Sequence, residues 1–227
     1  MMPAFPMSGY VNHPALGRVP YQLHVLSDDP DQQVEATIGL MSEYALQDAS
    51  NSIIKDESLA AASSGDPIED TWRYLSRKDG ARQMQFVHDE DTGRPWGDIG
   101  RWCPVVETLI RPVDQAVLSN PQGDCDDFSM YGAAHLLARG VPVSFCTVAA
   151  DGSDPSIYSH VYLVAYPNGK RVPLDLSHGP YAGWETANRF GKRREWPIVP
   201  KSMGICKCIL FAVGGVLLYK MLRGGLN

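Results

Sequence analysis

The sequence predicts an α+β domain: a buried helix starting at Cys125 packs on an antiparallel sheet, and an apolar helix follows at the C-terminus. Three observations predict this. Cys125 to Arg139 is almost wholly apolar after its first turn (Phe128, Met130, Tyr131, Ala133, Ala134, Leu136, Leu137, Ala138) and ends at Gly140, the pattern of an interior helix with a glycine stop. Two β-rich runs, Ser159–Tyr166 and Arg171–Leu176, flank Asn168-Gly169, the strongest short signal for a hairpin. The segment Ile205 to Leu222 carries only Lys207 and Lys220 as charges.

Residues 1–30 predict an extended arm, because Pro3, Pro6, Pro14 and Pro20 interrupt any regular element, with Tyr21–Leu26 as a short strand. The main domain is expected over 31–200, with its core over 68–185. Asp29-Pro30 is a helix start, a capping acid before proline. Val34, Ile38, Met41 and Ala45 share one face of the helix that follows, roughly Pro30 to Ala49. Asn51 to Ser64 reads as helix or linker. Asp66-Pro67 repeats the start signal, with Ile68, Trp72 and Leu75 on one face. Met84–Val87 reads as a strand, Asp89–Gly100 as a loop, and Val105–Leu118 is open between helix and loop. Val141–Ala149 is a strand.

The chain has 227 residues, 44% of them hydrophobic, which suits one sizeable folded domain. The net charge of −6 divides unevenly: Arg189 to Asn227 carries +7 and the remainder −13. An acidic body is a poor partner for nucleic acid, which needs a basic face. The five cysteines have no disulfide-framework spacing and form no CxxC pair. With a start at Met1–Gly9 that lacks the charged and apolar regions of a secretory signal, they point to a reducing compartment. No cofactor is predicted. A metal at Asp124-Cys125-Asp126-Asp127 is disfavoured, because adjacent helical side chains point in different directions.

Three residues stand out for chemistry. Cys125 begins a helix, where unpaired N–H groups and the helix dipole favour a thiolate. If Asn168 and Gly169 form a two-residue turn, His160 falls opposite Ser177 and Asp175 opposite Tyr162. His160 and Asp175 are then diagonal neighbours on one face, roughly 7–8 Å apart at the backbone and within side-chain reach. A three-residue loop would put them on opposite faces. Cys125 is therefore the candidate nucleophile, His160 its base and Asp175 the group that orients the base. Asp124, Asp126 and Asp127 oppose a thiolate by charge and are expected to turn from the sulfur or to bind backbone. His178 is a rival base. His13, His24, His88 and His135 carry no signal of their own, and Cys103 and Cys146 read as packing.

The runs Gly123-Asp124-Cys125-Asp126-Asp127-Phe128, Ser159-His160-Val161-Tyr162 and Val172-Pro173-Leu174-Asp175 resemble, in that order, the transglutaminase-like superfamily of papain-type thiol enzymes. Gln85-Phe86-Val87-His88-Asp89 is similar to the family's upstream strand. The resemblance covers roughly Ile68 to Glu185 and is to the small bacterial and phage members. It implies a papain-like fold and acyl transfer on a peptide or protein amide, by hydrolysis (peptidase or amidase) or by transamidation. Trp96, Trp102, Asn120 and Gln122 are candidates for the second oxyanion donor. The rival expectation is a non-catalytic structural or interaction protein on the same fold, such as a phage virion component anchored by its tail.

That tail, 201–227, predicts a hydrophobic helix with basic flanks. The stretch Ile205–Leu222 is near the length of about 20 residues that spans a bilayer. It suits either a membrane, with its lysines snorkelling and Arg193, Arg194, Lys201 and Arg223 near anionic lipid, or docking on protein, including a partner subunit. Localisation follows: cytoplasmic, or membrane-associated through the C-terminus.

Overall fold

In the computed structural model, the structure describes residues 8–13, 17–25, 29–77, 79–88, 106–150, 154–187 and 191–199. The predicted C-terminal helix, the loop Asp89–Gly100, and Trp96, Trp102, Cys103, Cys206 and Cys208 lie outside them.

The chain is a mixed α+β structure. Where the sequence predicts an extended arm, the backbone forms an antiparallel hairpin, β1 (Ser8–His13) with β2 (Gly17–Val25). Leu23–Val25 of β2 also pairs with β4 (Val106–Thr108). Pro20 is tolerated because β4 reaches only the end of β2, so at Pro20 the strand has a partner on one side.

α1 (Pro30–Ala49) has the predicted bounds. Asp29 caps it by accepting from the Asp31 N–H at 2.9 Å. Ile38, Met41 and Ala45 are buried, with Val34 partly buried against the core. Asn51 resolves the ambiguous stretch after it: its side chain accepts from the Ile53 N–H and starts α2 (Ser52–Ala60). Asp66 does the same for α3 (Pro67–Leu75), which buries Ile68 and Leu75. A short α4 (Pro112–Val117) occupies part of the segment the sequence left open.

α5 (Cys125–Ala138) is the interior helix. It meets α1, α2, α3 and α4 on one side and the sheet on the other. Gly132 sits where a Cβ would come 2.1 Å from Leu176 Cδ1, so a larger residue there would require that side chain to move. Gly140, at φ +74°, follows the helix end.

The four-stranded sheet runs β8–β7–β6–β9, all antiparallel. It comprises β6 (Val143–Val148), β7 (His160–Ala165), β8 (Val172–Leu174) and β9 (Arg193–Pro197). Asn168 and Gly169 both have positive φ, 51° and 77°, so the β7–β8 turn is a two-residue primed turn. The ladder pairs Leu163 with Leu174 and Ala165 with Val172, the register a two-residue turn requires. Along β7, Val161, Leu163 and Ala165 join the core shared with α5. Tyr162 and Val164 form a second small cluster with Cys146 and Val148 on the opposite face. Among the described residues, no helix is long and apolar enough to cross a membrane.

Candidate active site

Cys125 is the first residue of α5 and is half-buried. Asp124 caps the helix, accepting from the Asp126 N–H at 3.2 Å. Asp127 turns inward and accepts from the buried Ile110 N–H at 2.8 Å. A Cβ on Gly123 would lie 2.1 Å from Asp127 Oδ2, so the glycine before the Asp-Cys pair makes room for that carboxylate. Two of the three acids around Cys125 therefore serve the backbone, as charge at a helix start should. Asp126 is buried and borders the cleft on the α1 side.

β5 (Gln122–Gly123) pairs in parallel with β3 (Gln85–Phe86), which sets Phe86 and His88 beside the start of α5. Of the predicted oxyanion donors among the described residues, Asn120 is exposed. Gln122 is buried, and its backbone exchanges two hydrogen bonds with the Gln115 side chain, at 2.7 and 3.1 Å.

His160 opens β7. By strand alternation it shares the face of Tyr162, on whose ring it stacks at 6.1 Å, not the face toward α5. Because it stands at the strand end, its ring still borders the same space as Cys125. The two residues together line a cleft of about 310 Å³ against α1 and a second of about 440 Å³ against Phe86 and Trp184.

Asp175 follows β8 and is 1% exposed. His160 Nε2 lies 2.7 Å from its Oδ2, the diagonal contact the hairpin arithmetic anticipates. Thr186 Oγ1 also donates to Oδ2. Oδ1 accepts from the N–H groups of Ser177 and His178, at 3.1 and 3.0 Å, and from Ser177 Oγ at 3.0 Å. Burial works to raise the pKa of this carboxyl. The hydrogen bonds and charge of His160, with those of Thr186 and the His178 N–H, outweigh it and bring the pKa to about 2. Asp175 is thus an anion and can only accept, so Nε2 of His160 carries a proton.

The loop after Asp175 is tied down from α3. Trp72 Nε1 donates to the Gly179 carbonyl at 2.9 Å, and Ser76 Oγ to that of Leu176 at 2.7 Å. It carries His178, whose ring meets that of His160 edge to face at 5.0 Å. Sequence reasoning considered His178 only as a rival base, and it missed Thr186 and Trp184. No local pattern marks these residues, which reach the site through a loop.

His160, Asp175 and His178 present ligand atoms close enough to share a cation, as do Asp124, Asp126 and Asp127. In the first group, a cation would have to displace the donors that already occupy both oxygens of Asp175. In the second, Asp124 and Asp127 are committed to backbone N–H groups. Cys146, by contrast with Cys125, is buried mid-strand. Burial, only partly offset by its hydrogen bond with Tyr162, pushes its thiol up to about 11. Comparisons of the chain with protein-family models, curated proteins and solved structures found no match.

Proposed function

We propose that the chain is a thiol-dependent acyltransferase on a peptide or protein amide, built on a papain-like, transglutaminase-like fold. The observation that carries this reading is the His160–Asp175 pair at 2.7 Å, whose His160 ring borders the same two clefts as Cys125. In the reaction, the Cys125 proton passes to Nδ1 of His160, and the thiolate adds to the amide carbonyl. In this reading the N–H groups at the start of α5, that of Cys125 among them, donate to the oxyanion. The imidazolium then gives its proton to the departing amine, leaving a thioester on Cys125. Water or a second amine, deprotonated by His160, resolves the thioester to an acid or a new amide. Asp175 holds the ring and stabilises its charged form throughout.

The rival reading, a non-catalytic structural or interaction protein on this fold, is favoured by one observation: the charges of Asp124, Asp126 and Asp127 gather at the helix start that a thiolate would occupy. Iodoacetamide labelling followed by peptide mapping separates the two. The enzyme reading expects Cys125 to react faster than the other four cysteines, and His160→Ala to slow it by about 10²-fold. Equal labelling of all five sinks that reading and leaves the structural one.

A further inference from the structure

The reading above uses Cys125, His160 and Asp175 and leaves a second imidazole at the same site. His178 is wedged between two rings. It meets His160 edge to face at 5.0 Å and 88°, and Phe86 at 5.0 Å and 65°. Its main chain is fastened to the carboxylate that holds His160: the His178 N–H donates to Asp175 Oδ1 while His160 occupies Oδ2. Its Nδ1 lies 2.9 Å from Ser177 Oγ, which also hydrogen-bonds Asp175 Oδ1. Residues 175–179 are closed into a turn by the Gly179 N–H bonding the Asp175 carbonyl at 2.9 Å, and Trp72 clamps that turn from α3. The ring is exposed on one side, where it lines the 440 Å³ cleft shared with Cys125.

We propose that His178 is a positioning residue: its neutral ring, braced by Phe86, holds the His160 imidazole against Asp175, and its protonation in acid removes that support and sets the lower pH limit of Cys125 reactivity. The inference rests on the thiol reading above.

The physical argument is charge against charge at short range. When His160 takes the thiol proton it becomes a cation, and a protonated His178 would place a second cation 5.0 Å away between ring centres. A charge on His160 therefore opposes protonation of His178, and a protonated His178 would oppose the charge that His160 takes on with the thiol proton. Among the described residues, the ionisable groups that face His178 are His160 and Asp175 from the sheet side, His88 beyond Phe86, and Asp124 and Cys125 across the cleft. Packing on its neighbours, then the charge of His160, lowers its proton affinity; Asp175 pulls the other way and His88 adds to the lowering, for a net fall below the usual imidazole range. His178 is consequently neutral at neutral pH and gains its proton as the medium turns acid.

The test is the second-order rate of iodoacetamide alkylation at Cys125, measured across pH in the full chain with peptide mapping. His178→Phe keeps an aromatic ring against His160 but cannot titrate. His178→Ala removes the ring. The wild type should show a plateau with an acid limb. His178→Phe should keep the plateau and carry the limb about one pH unit lower, the change that uncoupling two sites interacting by about that much produces. His178→Ala should lower the plateau by about tenfold or more, as loss of placement does. A His178→Phe profile that superimposes on the wild type overturns the proposal, as does an undiminished plateau in His178→Ala. If His178→Ala does not fold, His178→Phe alone decides. Alkylation of Cys125 no faster than the other cysteines in the wild type overturns the thiol reading and this inference together, an outcome distinct from either profile result.

Discussion

His160 with Asp175 and His135 with Glu57 are both imidazole–carboxylate pairs, at 2.7 and 3.1 Å, and they sit at opposite ends of what such a pair can be. His135 lies on α5, fully buried. Its Glu57 partner, from α2, accepts from the Tyr131 hydroxyl and is ion-paired with Arg82 at 3.0 Å. Burial works to raise the Glu57 pKa, and the bonds from His135 and Tyr131 with the charges of His135 and Arg82 bring it below the usual range. None of these groups lines the two clefts at Cys125. His160, at a strand end, has one nitrogen engaged and its ring at the edge of open space beside a cysteine. The pair is the same chemistry in both places. What differs is access, and access decides whether a histidine is a structural tie or a base.

The largest expected effects separate the two pairs. Asp175→Asn should slow Cys125 alkylation at neutral pH by about 10²–10⁴-fold, because the ring loses its orienting anion. Glu57→Gln should leave that rate within about twofold in folded protein but cost about 3–5 kcal/mol in urea unfolding, because it leaves Arg82 without its buried counter-charge. Comparable slowing by both variants would show that the pairs are not independent.

A smaller effect comes from acid. The Asp175 pKa is depressed to about 2 in the fold. Its contribution to stability is therefore present above the unfolded value of about 3.9 and is lost as pH falls toward about 2. The loss should be about 2 kcal/mol in the wild type and absent in Asp175→Asn, read from urea midpoints at a series of acid pH values.

The smallest expected effect tests the two thiols against each other. Cys146→Ala should lower stability by about 1 kcal/mol and leave the alkylation of Cys125 within about twofold, since Cys146 packs among Val148, Tyr162 and Val164 and lines neither cleft at Cys125. A larger fall in Cys125 reactivity would mean that the packing around Tyr162, on which His160 stacks, governs the site.

Local signals in the chain were read well. Asp29-Pro30 and Asp66-Pro67 start helices where their side chains cap the following N–H groups. Gly140 marks the end of α5 because it takes a left-handed conformation there. Asn168-Gly169 sets the register of β7 and β8, and with it the diagonal approach of His160 to Asp175. The features with no local signal depend on residues distant along the chain. β9 went unnoticed because Arg193–Pro197 is charged and exposed at its start and becomes a strand only by pairing with β6. The N-terminal prolines hide the pairing of Ser8–His13 with Gly17–Val25, and the strand that extends it, Val106–Thr108, comes from far along the chain. Glu57, His135 and Tyr131 form one network although α2 and α5 are remote in sequence.

By itself, the sequence determined the elements whose stop and start residues act on their own neighbours, and the pairing of His160 with Asp175, because a two-residue turn leaves one register. Only the tertiary structure decided what surrounds that pair. It bound Thr186 to the carboxylate, wedged His178 between Phe86 and His160, turned Asp127 to Ile110, and opened clefts on either side of Cys125. Those contacts join residues from separate elements. Their energies depend on burial and approach, which no short stretch of chain encodes.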